Sequence, residues 1–380
     1  MSGMSGVSGV SAVSGMSGVS GVSGVTDVAG RGAGGSAQAV LDTQGMFDAT
    51  ASLPEQVEAA AEAARHVEGL PDKASVEHVV VLGMGGSGIA GDILIAAAGP
   101  FMAVPVVTVK SYELPAFVGE GSLVFAISFS GDTEETLEAA TEAAMQGARL
   151  VAVTSGGELE KLATGWGAPL VRLPGSIPQP RAALGAMAIP PLVVLEQVGL
   201  FPGAQQWIDL AVSQLQRRRD RLTRAGNEAA HLARRIGRTV PLVHGGGPIG
   251  ATAAQRWKTQ VNENAKTPAF WAAQPELCHN DIVGWGQHGD VTRQVFTLVS
   301  LRHDSEHPQV TRRFDLVHDL MREVVAGIEE VHAEGEGDLA QLLDLILYGD
   351  FVSLHLAAQE GIDPGPVPVL DDLKTRLREG

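Results

Sequence analysis

The stretch HVVVLGMGGSGIAGDILIAAA, residues 78–98, decides the fold class. A short run of β-branched residues, a glycine turn and an apolar helix follow one another without a break, the signature of a buried strand feeding a helix. The same theme recurs downstream. SLVFAISFSGDTEETLEAATEAAMQG (122–147) reads as strand, Ser/Gly turn and helix, and ARLVAVTSGGELEKLA (148–163) adds another strand and helix. VPVVTV (104–109) supplies a strand between the first two units. Upstream, LPEQVEAAAEAARHV (53–67) is helix-like, with Pro54 where a first turn tolerates it. Strands alternating with helices imply βαβ units and parallel sheets covered on both faces, an α/β protein in three layers.

The stretch LPGSIPQPRAALG (173–185) carries three prolines and reads as a crossing loop. A long helical region over roughly 205–236 contains the basic run Gln216–Arg219, which reads as a solvated helix face. The α/β rhythm then restarts with TVPLVHGGGPIGATAAQRWKTQVNENAK (239–266), again strand, glycine loop and helix. RQVFTLVSL (293–301) reads as a further strand, while 312–333 and DLILYGDFVSLHLAAQEG (344–361) read as helices. The expected organisation is a first domain at 41–180, a connecting helical region at 181–238, a second domain core at 239–310 and C-terminal helices at 311–380.

Composition narrows the function. The 380 residues hold 27 Lys+Arg against 44 Asp+Glu, a formal net charge of −17. Nothing in that balance offsets repulsion from a phosphate backbone, so no nucleic-acid partner is expected. A single cysteine, Cys278, excludes an intramolecular disulfide framework and multi-cysteine zinc sites. No HxH or HExxH pattern occurs among the eleven histidines, and no metal is expected. Residues 1–40 form a low-complexity segment with glycine at every third position from Gly3 to Gly24 except Ala12. Without proline it is no collagen, and it reads as a disordered tail or an over-extended gene start. It has no basic n-region or unbroken apolar core, and no other run reads as a membrane span, so a soluble cytoplasmic protein with no membrane partner is expected.

Two turns can carry chemistry. Gly83-Met84-Gly85-Gly86-Ser87-Gly88 lies between strand and helix, where backbone N–H groups and the helix dipole favour an anion. The glycine spacing is not that of a dinucleotide fingerprint, and Val109 runs into Lys110 where an acidic residue would be needed, so no cofactor is expected. A tight turn without ligand is the bland alternative. Ser128-Phe129-Ser130-Gly131-Asp132-Thr133 then places three hydroxyls at the next turn. Ordinary helix capping explains one such turn. Two in consecutive βα units favour a phosphate site, and without a P-loop lysine they suit a small phosphomonoester.

Further along, Glu263 closes a helix, His279 lies in a loop with Cys278, Lys374 sits in the last helical stretch, and Arg181 follows the proline-rich loop. A carboxylate, an imidazole, an ammonium and a guanidinium suffice for proton abstraction beside a carbonyl and for acid–base ring opening. Singly, each has a structural explanation as a surface or loop residue. Cys278 beside His279 does not make a thiol nucleophile, since adjacent side chains normally point apart.

GMGGSGIAGD (83–92), SFSGDTEET (128–136), PRAALG (180–185), NENAK (262–266), HNDIVGW (279–285) and IDPGPVPVLDDLK (362–374), in that order, resemble the sugar isomerase (SIS) fold. More narrowly, they resemble the bifunctional phosphoglucose/phosphomannose isomerases of archaea and some bacteria. The likeness runs from about Leu41, where DTQGMFDATASLPEQ is similar too, to the C-terminus. It implies two SIS domains of three-layer αβα type with parallel sheets, plus a C-terminal helical segment. It also implies that Gly85, Gly86, Ser87, Ser128, Ser130, Gly131 and Thr133 hold a sugar phosphate. Arg181 would steady an enediolate, Glu263 would move the proton between C1 and C2, and His279 and Lys374 would assist ring opening. The implied assembly is a homodimer in which the neighbouring subunit lends His279. The implied reaction interconverts glucose 6-phosphate and mannose 6-phosphate with fructose 6-phosphate. A single-epimer isomerase and a non-catalytic sugar-phosphate sensor are the alternatives. The chain departs from the pattern twice, with His279-Asn280-Asp281 for the usual HNE and Asp363-Pro364-Gly365-Pro366-Val367 for the frequent DPTPV. The glycine is expected to alter pocket shape and with it the balance between epimers.

Overall fold

The structure, a computed structural model, describes residues 40–379, so the expected N-terminal tail lies outside the described residues but for Val40. Helices α1 (Met46–Ala51) and α2 (Leu53–Arg65) precede the first α/β unit. That unit runs β1 (His78–Leu82), α3 (Gly85–Ala97), β2 (Val106–Val109), β3 (Ser122–Ser128), α4 (Glu134–Met145), β4 (Arg149–Thr154), α5 (Gly157–Trp166) and β5 (Leu170–Arg172). The five strands pair in parallel in the order β2-β1-β3-β4-β5. Every residue of β3 is buried, as expected of a strand covered on both faces.

Three helices follow, α6 (Leu184–Val198), α7 (Ala204–Leu222) and α8 (Glu228–Ile236). The expected helix over 205–236 is therefore two helices, with Gly226 at φ 65° in the break and Asn227 capping α8 by accepting from Ala230 N. The expected solvated face at Gln216–Arg219 needs correction. Arg218 is only 2% exposed and pairs with Asp344, whose side chain is completely buried. Arg219 is paired with Glu55. Arg218 and Arg219 therefore fasten α7 to other elements, while Arg217 stays exposed and bonds to Gln214 of the same helix.

The second α/β unit comprises β6 (Val240–Gly246), α9 (Gly247–Asn264), β7 (Phe270–Gln274), α10 (Gly289–Val295), β8 (Phe296–Arg302), α11 (Pro308–Met321) and β9 (Gly327–His332). Its strands are parallel in the order β7-β6-β8-β9. The segment 312–333, expected as helix, thus contains strand β9. The chain closes with α12 (Asp338–Gln359) and α13 (Pro368–Glu379). By length and composition α12 could cross a membrane, yet 94% of its apolar window is buried inside the protein, where it packs on α7, α8 and α9. One apolar core continues from Val79 and Phe125 in the first sheet through α3 and α6 to α9, α12 and Val299 of the second sheet. This shared core fixes the two sheets relative to each other and brings the end of α9 to the front of α3.

Candidate active site

The β1–α3 turn needs its glycines for close approach. A β-carbon on Gly86 would lie 3.3 Å from Arg181 Cα and N, so the backbone of Pro180–Arg181 rests on the first turn of α3. Gly85, at φ 51°, is exposed with open space in front of it. Ser87 is buried, and its hydroxyl accepts from Phe129 N at 3.3 Å while lying 3.2 Å from Met187 Sδ. It joins the two turns to each other.

In the β3–α4 turn the Ser128 hydroxyl accepts from Gly131 N at 3.1 Å and pairs with Thr133 Oγ1 at 2.9 Å. Gly131 has φ 77°, and a β-carbon there would stand 1.8 Å from Gly156 O, so only glycine fits. Ser130 is exposed at the rim. Gly85 and Gly86 at the start of α3 and Ser130 and Thr133 just before α4 are not fully buried and lie at two helix N-termini, while the buried Gly131 N–H is committed to Ser128.

The corresponding glycine turn of the second unit is different. A β-carbon on Gly246 would meet Val310 Cγ1 at 2.8 Å and Phe314 Cε2 at 3.0 Å, so side chains of α11 press on this one residue. Gly247, which like Gly85 opens its helix at positive φ, has open space in front of it, so the two turns differ at the residue before the helix, Met84 in one and Gly246 in the other.

Arg181 is 3% exposed, and every nitrogen of its guanidinium is engaged. Nε donates to Asn264 Oδ1 at 2.8 Å, Nη1 to Gln179 Oε1 at 3.2 Å, and Nη2 to the carbonyls of Pro364 and Gly365 at 2.5 and 2.7 Å. Nη1 also faces Glu263 Oε2 at 3.6 Å, with the Glu263 side chain 31% exposed. Burial draws the Arg181 pKa below its usual value, and the Glu263 carboxylate opposes that shift. The group remains a cation held in one orientation beside a solvent-accessible carboxylate.

Lys266, which the sequence reading left without a role, joins this cluster. Its Nζ donates to Glu263 O at 2.5 Å and Pro364 O at 3.1 Å, and its backbone takes the uncommon φ of 54°. Burial, followed by the nearby Arg181 charge, lowers its pKa. Its position three residues after Glu263 in NENAK was the available signal. Gly365 is explained by Gln44, since a β-carbon there would lie 2.8 Å from the Gln44 amide, which in turn accepts from Gln179 Nε2 at 2.7 Å. Where the family pattern has a threonine, this chain places an amide from its N-terminal segment.

The chain thus brings together the two turns, Arg181 and Glu263. His279, at the end of an exposed 3₁₀ turn (Glu276–His279), and Lys374, on the exposed α13, have no hydrogen bond or ion pair to Arg181 or Glu263 among the described residues. Cys278 is half-buried, and burial raises its thiol pKa, the opposite of an activated nucleophile. Among the described residues no three His, Cys, Asp or Glu side chains converge on a metal position.

Comparison with known proteins shows the family of the chain. Residues 74–164 match the SIS domain model, and residues 225–377 match the model described as the bacterial phospho-glucose isomerase C-terminal SIS domain. The bifunctional phosphoglucose/phosphomannose isomerase of Caldicellulosiruptor bescii is 35% identical over 338 residues, 88% of this chain and 99% of that protein. The chain belongs to the bifunctional phosphoglucose/phosphomannose isomerase family. The Aquifex aeolicus member is 33% identical over 79% of this chain and 90% of its own length. Among solved structures, the C-terminal domain of glucosamine-fructose-6-phosphate aminotransferase from Francisella tularensis superposes with a TM-score of 0.62. It covers 84% of this chain and 96% of its own at 16% identity, a likeness of fold. For a family member, the open cradle of the first unit and the Arg181–Glu263 pair are the features to interpret chemically.

Proposed function

We propose that the protein interconverts glucose 6-phosphate and mannose 6-phosphate with fructose 6-phosphate through a cis-enediol intermediate, without a metal. The observation that carries this reading is the Arg181–Glu263 pair, 3.6 Å apart, with the Arg181 backbone resting against the first turn of α3. The phosphate is bound at the two turns by Gly85, Gly86, Ser130 and Thr133, with Ser87, Ser128 and Gly131 holding the turns in shape. Glu263 takes a proton from one of the two carbons C1 and C2 and returns it to the other. The Arg181 guanidinium, already desolvated and oriented, lowers the energy of the oxyanion that forms. His279 and Lys374 serve ring opening, and His279 does so from the neighbouring subunit of a homodimer. As a sugar-phosphate enzyme it acts in central carbohydrate metabolism in the cytoplasm.

A pocket that binds an anionic substrate inside a chain of net charge −17 must oppose the global field locally. Helix N-termini, Arg181 and Lys266 supply that opposition. The test is purified protein with fructose 6-phosphate and coupled detection of both aldose products. Formation of glucose 6-phosphate and mannose 6-phosphate is expected, and one product alone would restrict the activity to a single epimer. Glu263→Gln should lower kcat by three or more orders of magnitude, on the order of a general base's contribution or above, while the binding constant for the sugar phosphate stays close to wild type. Binding without turnover by the wild-type protein would overturn the enzymatic reading in favour of a sensor.

A further inference from the structure

Arg181 is held from two sides, and both supports end on α12. On the side-chain side, Nε donates to Asn264 Oδ1 at 2.8 Å, Asn264 Nδ2 donates to Ser353 Oγ at 2.9 Å, and Ser353 Oγ donates to the Asp350 carbonyl at 2.6 Å. On the backbone side, the Arg181 carbonyl accepts from Arg256 Nη2 at 2.5 Å. Arg256 is in turn bound in fork geometry by Asp350, Nε to Oδ1 at 3.1 Å and Nη2 to Oδ2 at 2.9 Å. The bonds close a ring through Arg181, Asn264, Ser353, Asp350 and Arg256.

Each member of the ring is buried. A fully desolvated ion pair such as Arg256–Asp350 is weak evidence for stability, because well-packed apolar residues of similar volume commonly do as well or better. What such a pair provides is direction. Its fork fixes the Arg256 plane, and the remaining Nη2 hydrogen is then aimed at the Arg181 carbonyl. The close approach of the two helices that makes this possible is built in beside it, since Gly349 stands directly against the Trp257 ring.

We infer that Asp350, Arg256, Asn264 and Ser353 are positioning residues that set the Arg181 guanidinium against Glu263, a role that rests on the proposed isomerase reading of that site. Glu263 and Asn264 are neighbours at the end of α9, so the ring orients base and guanidinium through one helix end. The sugar-phosphate turns on α3 and α4 stand outside it. Loss of the ring should therefore disturb the proton-transfer step and leave phosphate binding alone.

The experiment uses the full chain and the double substitution Arg256→Met with Asp350→Leu, which removes both charges and fills their space with apolar side chains. The expected result is a folded protein with a thermal midpoint near or above wild type. Its KM for fructose 6-phosphate should stay within about twofold, and its kcat should fall about 10- to 100-fold, the scale of a misaligned reacting pair. A purely structural role would instead lower the midpoint and leave the kcat of the folded fraction unchanged. A folded double variant with wild-type kcat, or with a raised KM at unchanged kcat, overturns the inference. Ser353→Ala, which removes one hydroxyl, keeps the test decisive if the double variant does not fold. It too should lower kcat at unchanged KM, and an unchanged kcat overturns the inference. A wild-type protein without turnover would instead overturn the reading of the site, and the positioning role with it.

Discussion

His355 illustrates how one residue can couple this fold to pH. Its Nε2 lies 3.2 Å from Asn227 Nδ2, and Asn227 Oδ1 is committed to capping α8 by accepting from Ala230 N. The asparagine therefore presents a donor, and His355 accepts it as a neutral imidazole. Burial, followed by the nearby Arg234 charge, lowers the His355 pKa to about 4. Burial likewise lowers that of His244 to about 3, with His318 adding to the effect. In the unfolded chain both titrate near 6.5. Above that value neither state binds the proton and the two residues add no pH dependence. As pH falls from about 6.5 to about 4, the unfolded chain binds protons that the native state refuses, so stability falls by up to about 1.4 kcal/mol per pH unit for each histidine. His355→Gln, which keeps an acceptor for Asn227, should flatten this slope by up to about 1.4 kcal/mol per unit between about pH 6 and 4.5. Urea unfolding across that interval measures it, and an unaltered slope would show that His355 is not held neutral. Nothing in the sequence marked His355, because neutrality depends on which group across the fold faces the ring. Glu263 and Arg181 were legible in ordered motifs, whereas Lys266 joins the cluster partly through the Pro364 carbonyl, almost a hundred residues away.

At the scale of elements, the crossing of α9 and α12 carries the heaviest constraint. A β-carbon on Gly349 would stand 2.1 Å from Trp257 Nε1, which donates to Leu345 O at 2.8 Å, and both helices are packed from the other side by sheet or helix. Gly349→Ala is therefore an overpacking substitution and should cost about 1–3 kcal/mol or more, against the few tenths to one that alanine ordinarily gains over glycine within a helix. Chemical denaturation decides the sign, and a stabilised variant would mean the helices can part at no cost. Most strands the sequence disclosed share burial with this crossing, the exception being β2, an edge strand that still reads as a β-branched run. β1, β3, β4, β6 and β8 are interior strands and read directly as β-branched apolar runs. β5, β7 and β9, which the pattern did not disclose, are all edge strands. β9 carries Glu329 and Glu330 in succession and so lacks the continuous apolar run of a two-sided strand, while β7 is apolar over Phe270–Ala273 but has no β-branched residue and exposes Phe270 and Trp271. α6 was veiled for another reason. It contains Pro190 and Pro191, which predict a break, yet every residue from Leu184 to Leu195 is buried, and packing between α2 and α3 outweighs the missing N–H groups.

On the scale of the whole molecule, one chain brings together the two proposed phosphate turns, Arg181 and Glu263, while the other two of the four proposed catalytic groups stand on its outside. His279 follows β7, whose Phe270 and Trp271 are 52% and 38% exposed, and Val283 just beyond it is 80% exposed. Lys374 lies on α13, where Val369, Leu370, Leu373 and Leu377 are all exposed. Apolar side chains set around polar candidates in this way suit an interface that buries them both. A two-fold dimer makes any such contact reciprocal, so each subunit that borrows a histidine also lends one. Complementation follows from that symmetry. His279→Ala and Glu263→Gln proteins are each expected to be nearly inactive alone. In a mixed dimer, one site receives Glu263 from the first subunit and His279 from the second and is intact, and the other site lacks both. Random exchange at equal concentrations makes half of the dimers mixed, each with one working site, so activity should recover to about a quarter of wild type. The measurement is fructose 6-phosphate turnover after unfolding and refolding the two variants together, compared with each refolded alone. Native mass spectrometry on subunits of distinguishable mass establishes how many dimers are mixed. Full subunit exchange without recovered turnover would place His279 in the same chain's site, or outside the site altogether, and would remove the reason for a shared active centre.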